Sequence, residues 1–200
     1  MTSATPSPAP TKGERTQARI LEAAIDRFGT NGFRATSVAA IARDAGVSAA
    51  APFAYWPSKE ALFEAAVDAD ARAVIAELLG SVAVDSDLAF WLNLVNDLLS
   101  VLARHPLAQR VLAGHEPESI DRLLRLSAFE ELRELLTLVI AKGQQDGVVR
   151  GDLDPAQAAV GIESMTLALA MAMLQLREPP DPIRQAGIAH LLLSAFRPAT

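Results

Sequence analysis

Residues 36–59 read TSVAAIARDAGVSAAAPFAYWPSK, and this stretch decides the fold. Thr36 and Ser37 are types that cap helix N-termini. Val38, Ile41, Ala42 and Ala45 then follow the spacing of one helical face. Gly46 interrupts that face where a tight turn needs a positive φ. Ser48 can start a second, short helix, which ends before Pro57 because the residue ahead of a proline is pushed out of the helical region. A capped helix, a glycine turn and a second helix that can enter a groove make up the helix-turn-helix, with Val38, Ile41, Ala42 and Val47 as its apolar nucleus. Ser37 and Ser48 would leave backbone N–H groups open at two helix starts, a natural seat for phosphate.

The flanks extend the pattern. Upstream, Ile20, Leu21, Ala24, Ile25 and Phe28 form one helical face, and Asn31-Gly32 supplies a stop because both residues tolerate the left-handed conformation. Downstream, Ser58 is the expected cap of a long helix reaching about Leu79, with Leu62, Phe63, Ala66 and Val67 on its buried face. Gly80 to Asp87 reads as a loop. Helical pattern resumes from Leu88 to Ala103, breaks at His105-Pro106 and continues to Ala113. Ile120 to Lys142 reads as one amphipathic helix. Pro155 suits the first position of the next, with Asp154 as cap, and Ile183 to Phe196 forms the last. No segment shows convincing period-two alternation. The fold class is all-α: an N-terminal three-helix domain with a helix-turn-helix, then a larger helical domain.

The 200 residues can bury a substantial core, and half of them are apolar. The absence of cysteine excludes disulfides and thiolate metal sites. Residues 1–12, rich in proline and small polar types, read as a disordered tail and not as a signal peptide. The apolar run from Met165 to Leu176 reads as a buried helix too short for a bilayer, so the chain is expected in the cytoplasm. The net charge of −6 is unevenly spread: through Glu60 there are seven basic and five acidic residues, leaving 11 and 19 beyond it. That asymmetry is compatible with a nucleic-acid-facing end but is modest.

At ILEAAIDRFGTNGFRATSVAAIARDAGVS, followed by YWPSKEALFEAAV, the sequence resembles the DNA-binding domain of the tetracycline-repressor (TetR) family of bacterial regulators. Helix lengths, the Gly-Phe before the second helix, the glycine turn and the Lys-Glu after it fall in register over residues 13–67. The resemblance implies a DNA-binding domain at 13–67 and a helical effector-binding and dimerisation domain at 68–200. It implies backbone contacts from Thr36 and Ser37, a recognition helix from Ser48 to Tyr55, and a phosphate contact from Lys59, with Arg15 as a further one. Where many relatives carry Lys or Arg, Thr and Tyr, this chain has Ala49, Ala51 and Phe53. Ala49, Ala50, Ala51 and Phe53 therefore point to apolar contacts and DNA shape, with Tyr55, Lys59 and Arg34 as polar anchors. Pro52, about one turn in, loses little by lacking its N–H.

The resemblance also implies a homodimer through the last two helices and a small-molecule effector. AAVGIESMTLALAMAMLQL is apolar nearly all round, which the surface helix of a monomer should not be. Phe90, Trp91, Asn93, Asn96, His105, His115, Phe129 and Met165 are pocket candidates, mixing aromatic bulk with hydrogen-bonding tips, and an apolar or amphipathic effector is expected. Each of them also suits an ordinary core or turn position. The expected activity is that of a ligand-responsive repressor binding a palindromic double-stranded DNA operator. Its rival is a protein-interaction module of the same fold that has lost specific DNA reading. No enzyme is expected: GVSAA lacks the second glycine of a nucleophile elbow, and the three histidines show no metal-ligand spacing. Neither metal nor cofactor is expected.

Overall fold

A computed structural model describes residues 11–80, 97–116, 126–176 and 181–198. Among them every regular element is helical, as the sequence predicts. The chain divides into two compact units, one ending at Val67 and the other starting at Asp68.

The first unit begins with α1, Lys12–Ala35. Thr11 caps it: its hydroxyl accepts from Glu14 N–H while the Glu14 carboxylate accepts from Thr11 N–H. Thr11 and Lys12 thus open the helix, where the sequence places them in the tail. Gly32, at φ +80, breaks α1 near its end, as the Asn31-Gly32 pair predicts. Then come α2, Val38–Asp44, a 3-10 turn at Ala51–Ala54, and the start of α3, Lys59–Gly80. Ile20, Ala24, Phe28, Ile41, Ala42, Trp56, Leu62 and Phe63 form the core. Phe28 and Phe63 meet edge-on at 5.0 Å, and Phe33 lies 5.1 Å from Phe63, so three rings tie α1 to α3. Val38 and Val47, expected in the nucleus, are only half-buried.

The second unit contains the rest of α3, helical residues 97–102, α4 (Pro106–Leu112), α5 (Ser127–Gln145), α6 (Pro155–Leu176) and α7 (Pro182–Phe196). Carboxylates on α3 cap two of these helices. Asp70, buried, accepts from Ala108 N–H at 2.8 Å in the first turn of α4 and sits 2.7 Å from His105 Nδ1. Asp68 accepts from Ala128 N–H at 3.1 Å and from the Ser127 hydroxyl at 2.8 Å, at the start of α5. An anionic acceptor at a helix N-terminus satisfies otherwise orphaned N–H groups and meets the positive end of the dipole. α5 starts at Ser127 because Leu126 is extended, with φ −66 and ψ 139, so the helix expected from Ile120 to Lys142 does not run unbroken through Leu126. Residues 117–125 lie outside the described residues.

α5 and α6 pack along each other around Ile140, Ala159 and Ile162, flanked by Leu136, Val149 and Phe196. Glu163 is buried in that seam and holds Arg133 Nη1 at 3.0 and 3.1 Å. Burial pushes the Glu163 carboxyl above its ordinary value, and the Arg133 charge and hydrogen bond oppose that. The run Met165–Leu176 is the second half of α6, which at 22 residues is as a whole long and apolar enough to cross a bilayer by length and composition. Only 22% of its apolar window is buried, where the sequence predicts a buried helix. The ion pair with Arg133 instead ties it to a protein neighbour.

Candidate nucleic-acid interface

The glycine turn is mounted from behind by α1. Arg19 donates to the Ala45 carbonyl at the end of α2, and Arg27 grips Asp44 through two nitrogens, Nη2 at 3.0 Å. Their mutual hydrogen bonds hold Arg27 above and Asp44 below their ordinary pKa values. Gly46 adopts φ +65, and a Cβ there would lie 2.7 Å from Arg19 Nη2. The positive φ is what calls for glycine; the guanidinium ends a flexible side chain and a Cβ would only displace it.

Past the turn, the segment expected as an α-helix is a single 3-10 turn. Ala51 N–H donates to Ser48 O, Phe53 to Ala50 O and Tyr55 to Pro52 O, all three residues apart. Pro52 cannot donate, and Pro57 ends the run, so no α-helical ladder has room to form. Ala50 is the N-cap and carries no side-chain bond, so Ser48 contributes its carbonyl and not its hydroxyl as a cap. Pro52 and Trp56 face the core while Ser48, Ala49, Ala50, Phe53, Ala54 and Tyr55 are exposed, with Ala51 half-buried.

The expected polar contacts are partly committed elsewhere. Thr36 is buried, and its hydroxyl donates towards Gly32 O at 2.8 Å and Arg27 O at 3.1 Å, so that side chain cannot also reach DNA. Ser37 is exposed and caps α2 by accepting from Ala40 N–H at 3.2 Å, so that N–H is not open to phosphate. The Tyr55 hydroxyl donates to Gly13 O at 3.2 Å and fastens the turn to the start of α1, which spends its only proton. Lys59 stacks 4.4 Å from the Phe33 ring centroid and reaches Arg34 O at 3.4 Å, leaving ammonium donors over. Arg15 and Arg34 lie exposed on α1.

Sequence reasoning missed Arg19, Arg27 and Asp44. Their partners are 26 and 17 residues away, and no local pattern reports such a pairing.

The expected effector contacts fall on different elements. His105 is clasped by Asp70 and, at 3.1 Å from Nε2, by Glu77; Arg104 also binds Glu77, with Nε at 2.8 Å. His115 is exposed, Phe129 is buried at the start of α5, and Met165 is exposed on α6. Phe90, Trp91, Asn93 and Asn96 lie outside the described residues.

Residues 20–66 match the family model described as bacterial regulatory proteins, tetR family. Over 180 residues, 90% of each chain, the protein is 25% identical to the HTH-type transcriptional regulator UidR of Escherichia coli K12. Its fold is similar to that of a TetR-family transcriptional regulator from Mesorhizobium loti, with a TM-score of 0.66 at 20% identity over 94% of this chain and all of that one. A TetR-family regulator from Cytophaga hutchinsonii gives 0.64 at 17% identity over 94% and 96%. With an exposed turn element braced by α1 inside the matched segment, residues 20–66 form a DNA-binding domain of the tetR family of bacterial regulatory proteins, and the whole chain is similar in length and fold to regulators of that family.

Proposed function

We propose that the chain is a cytoplasmic one-component repressor that binds a palindromic operator as a homodimer and leaves it when the body takes up a small apolar or amphipathic effector. The observation that carries the DNA-binding part is the mounting of residues 48–55. Pro52 and Trp56 are buried beneath the segment and the Tyr55 hydroxyl fastens it to α1, while Ala49, Ala50, Phe53 and Ala54 are turned outward. Arg15, Arg34 and Lys59 supply the positive charge for phosphates beside it, and the segment itself meets base edges.

The homodimer is supported by α6 and α7. Leu176 on α6 is 66% exposed, and on α7 Ile183 is 83% and Leu191 71% exposed. A Cβ on Gly161 or Gly187 would meet nothing within 4 Å, so among the described residues no neighbouring group requires those glycines. Two readers matched to half-sites one helical turn apart, on the order of 34 Å, need such a partner.

The test is binding to random duplex at rising salt, with sedimentation alongside. Contact with about three phosphates per protomer predicts a slope of log K against log salt of roughly −5 for the dimer. The absence of any duplex binding favours the rival module, which the lack of any Lys or Arg between Ser48 and Tyr55 supports. Effector release is tested separately, by adding amphipathic compounds to the preformed complex and following its dissociation.

A further inference from the structure

The outward face of residues 48–55 is made of methyl groups and one phenyl ring. Ala49, Ala50 and Ala54 are exposed, and Phe53 keeps 51% of its surface open. Polar side chains stand only at the two ends, Ser48 and Tyr55, and the Tyr55 proton already goes to Gly13. Pro52 has no N–H, and those of Ala51, Phe53, Tyr55 and Trp56 are all bonded within the segment. The guanidinium groups of Arg19 and Arg27, which stand behind the turn, are held by Ala45 and Asp44.

A surface so poor in donors and acceptors cannot use most of the major-groove code, which is written in hydrogen bonds. One mark in that groove is apolar, the C5-methyl of thymine. A phenyl ring or methyl laid on it removes apolar surface from water. The same group laid on cytosine N4 or guanine O6 strips away water and returns no hydrogen bond. Thymine O4 and adenine N6 are polar edges as well, so discrimination arises from the methyl itself.

Resting on the DNA-binding function inferred above, we propose that the half-site is read through C5-methyl groups, with Phe53 and the exposed alanines beside it as the specificity-determining contacts. Cytosine methylated at C5 carries the same methyl at the same place in the groove. The reader therefore accepts 5-methylcytosine where it rejects cytosine.

The purified full chain selects its duplexes from a random library, and the selected duplex is remade in three ways. Single thymines become deoxyuridine, which removes the methyl and leaves the pairing intact; T·A pairs become C·G; and the same C·G pairs are made with 5-methylcytosine. The expected result is a loss of about fourfold for deoxyuridine at one or more positions of each half-site. C·G, which lacks the methyl as deoxyuridine does, weakens binding there at least as much, and methylation recovers part of the loss. Phe53→Ala abolishes the thymine–uracil difference at the position it covers, whereas Phe53→Leu retains it. An exposed side chain is replaced in both, so the fold stands. Equal affinity for thymine and uracil at every position overturns the inference, as does a difference undiminished in Phe53→Ala. If the chain selects no duplex and shows no salt-sensitive binding to random DNA, the DNA-binding function itself falls, and this inference with it.

Discussion

α1 and α6 are nearly the same length, 24 and 22 residues, yet they solve opposite problems. α1 buries one stripe, Ile20, Ala24 and Phe28, and turns a polar face outward. Its arginines reach across to finish α2. α6 buries Ala159, Ile162, Glu163 and Ala170 but leaves Val160, Met165 and Leu176 in the open. The first helix thus buries its apolar side within its own unit, whereas the exposed apolar residues of the second fit the homodimer proposed above.

Placing charge on each surface gives the largest contrast. Glu at both Leu176 and Leu191 is expected to convert dimer to monomer and to weaken operator binding at least a hundredfold, because unpaired charges buried at an interface cost several kcal/mol. Gln17→Glu, on the exposed side of α1, is expected to change neither. Sedimentation equilibrium and gel shift read both, and a double variant that stays dimeric breaks the comparison. Next comes Phe28→Ala, which removes a fully buried ring and costs about 3–5 kcal/mol. Thermal unfolding by circular dichroism should show the first unit melting early while the helical signal of the second persists.

Asp70→Ala probes the second unit at a buried cap. It leaves the Ala108 N–H and His105 without their carboxylate and is expected to cost about 2 kcal/mol in urea unfolding. Gly46→Ala is expected to cost about 1–2 kcal/mol, from its positive φ and the displaced Arg19, and to weaken operator binding as the turn shifts.

The smallest effect is a pH dependence. Burial lowers the His105 pKa, but hydrogen bonds and charge from Asp70 and Glu77 outweigh it, so the imidazole titrates above its ordinary 6.5. The stability it adds is fully present below pH 6.5 and is lost as pH rises through the elevated folded value. Urea titrations from pH 6 to 9 should show that decline in the wild type and a flatter profile in His105→Gln.

Local rules made much of this fold readable. The stops at Gly32 and Gly46, the Ser37 and Ser58 caps and the proline-led starts of α4 and α6 follow from residue type and spacing alone. The recognition segment is not the α-helix that the resemblance implies, because two prolines five residues apart leave too few N–H groups for a ladder, a limit visible in the sequence. Thr36 looked like a surface cap because its type favours caps; it is buried because the chain folds back and places the Gly32 and Arg27 carbonyls within reach. The capping of α4 and α5 by Asp70 and Asp68 spans 38 and 60 residues, and no periodicity encodes a partner at such distance.

The 3-10 turn at Ala51–Ala54 has a consequence for how such a regulator changes its target. Its anchors, Pro52, Trp56 and the Tyr55 hydroxyl, are separate from the positions it shows to the outside. Ala49, Ala50, Phe53 and Ala54 can therefore be redrawn by mutation as an address is rewritten on an envelope, with stability almost untouched. Under the proposed DNA-reading role, new operators lie within a few substitutions, and the scaffold that presents these side chains need not adapt.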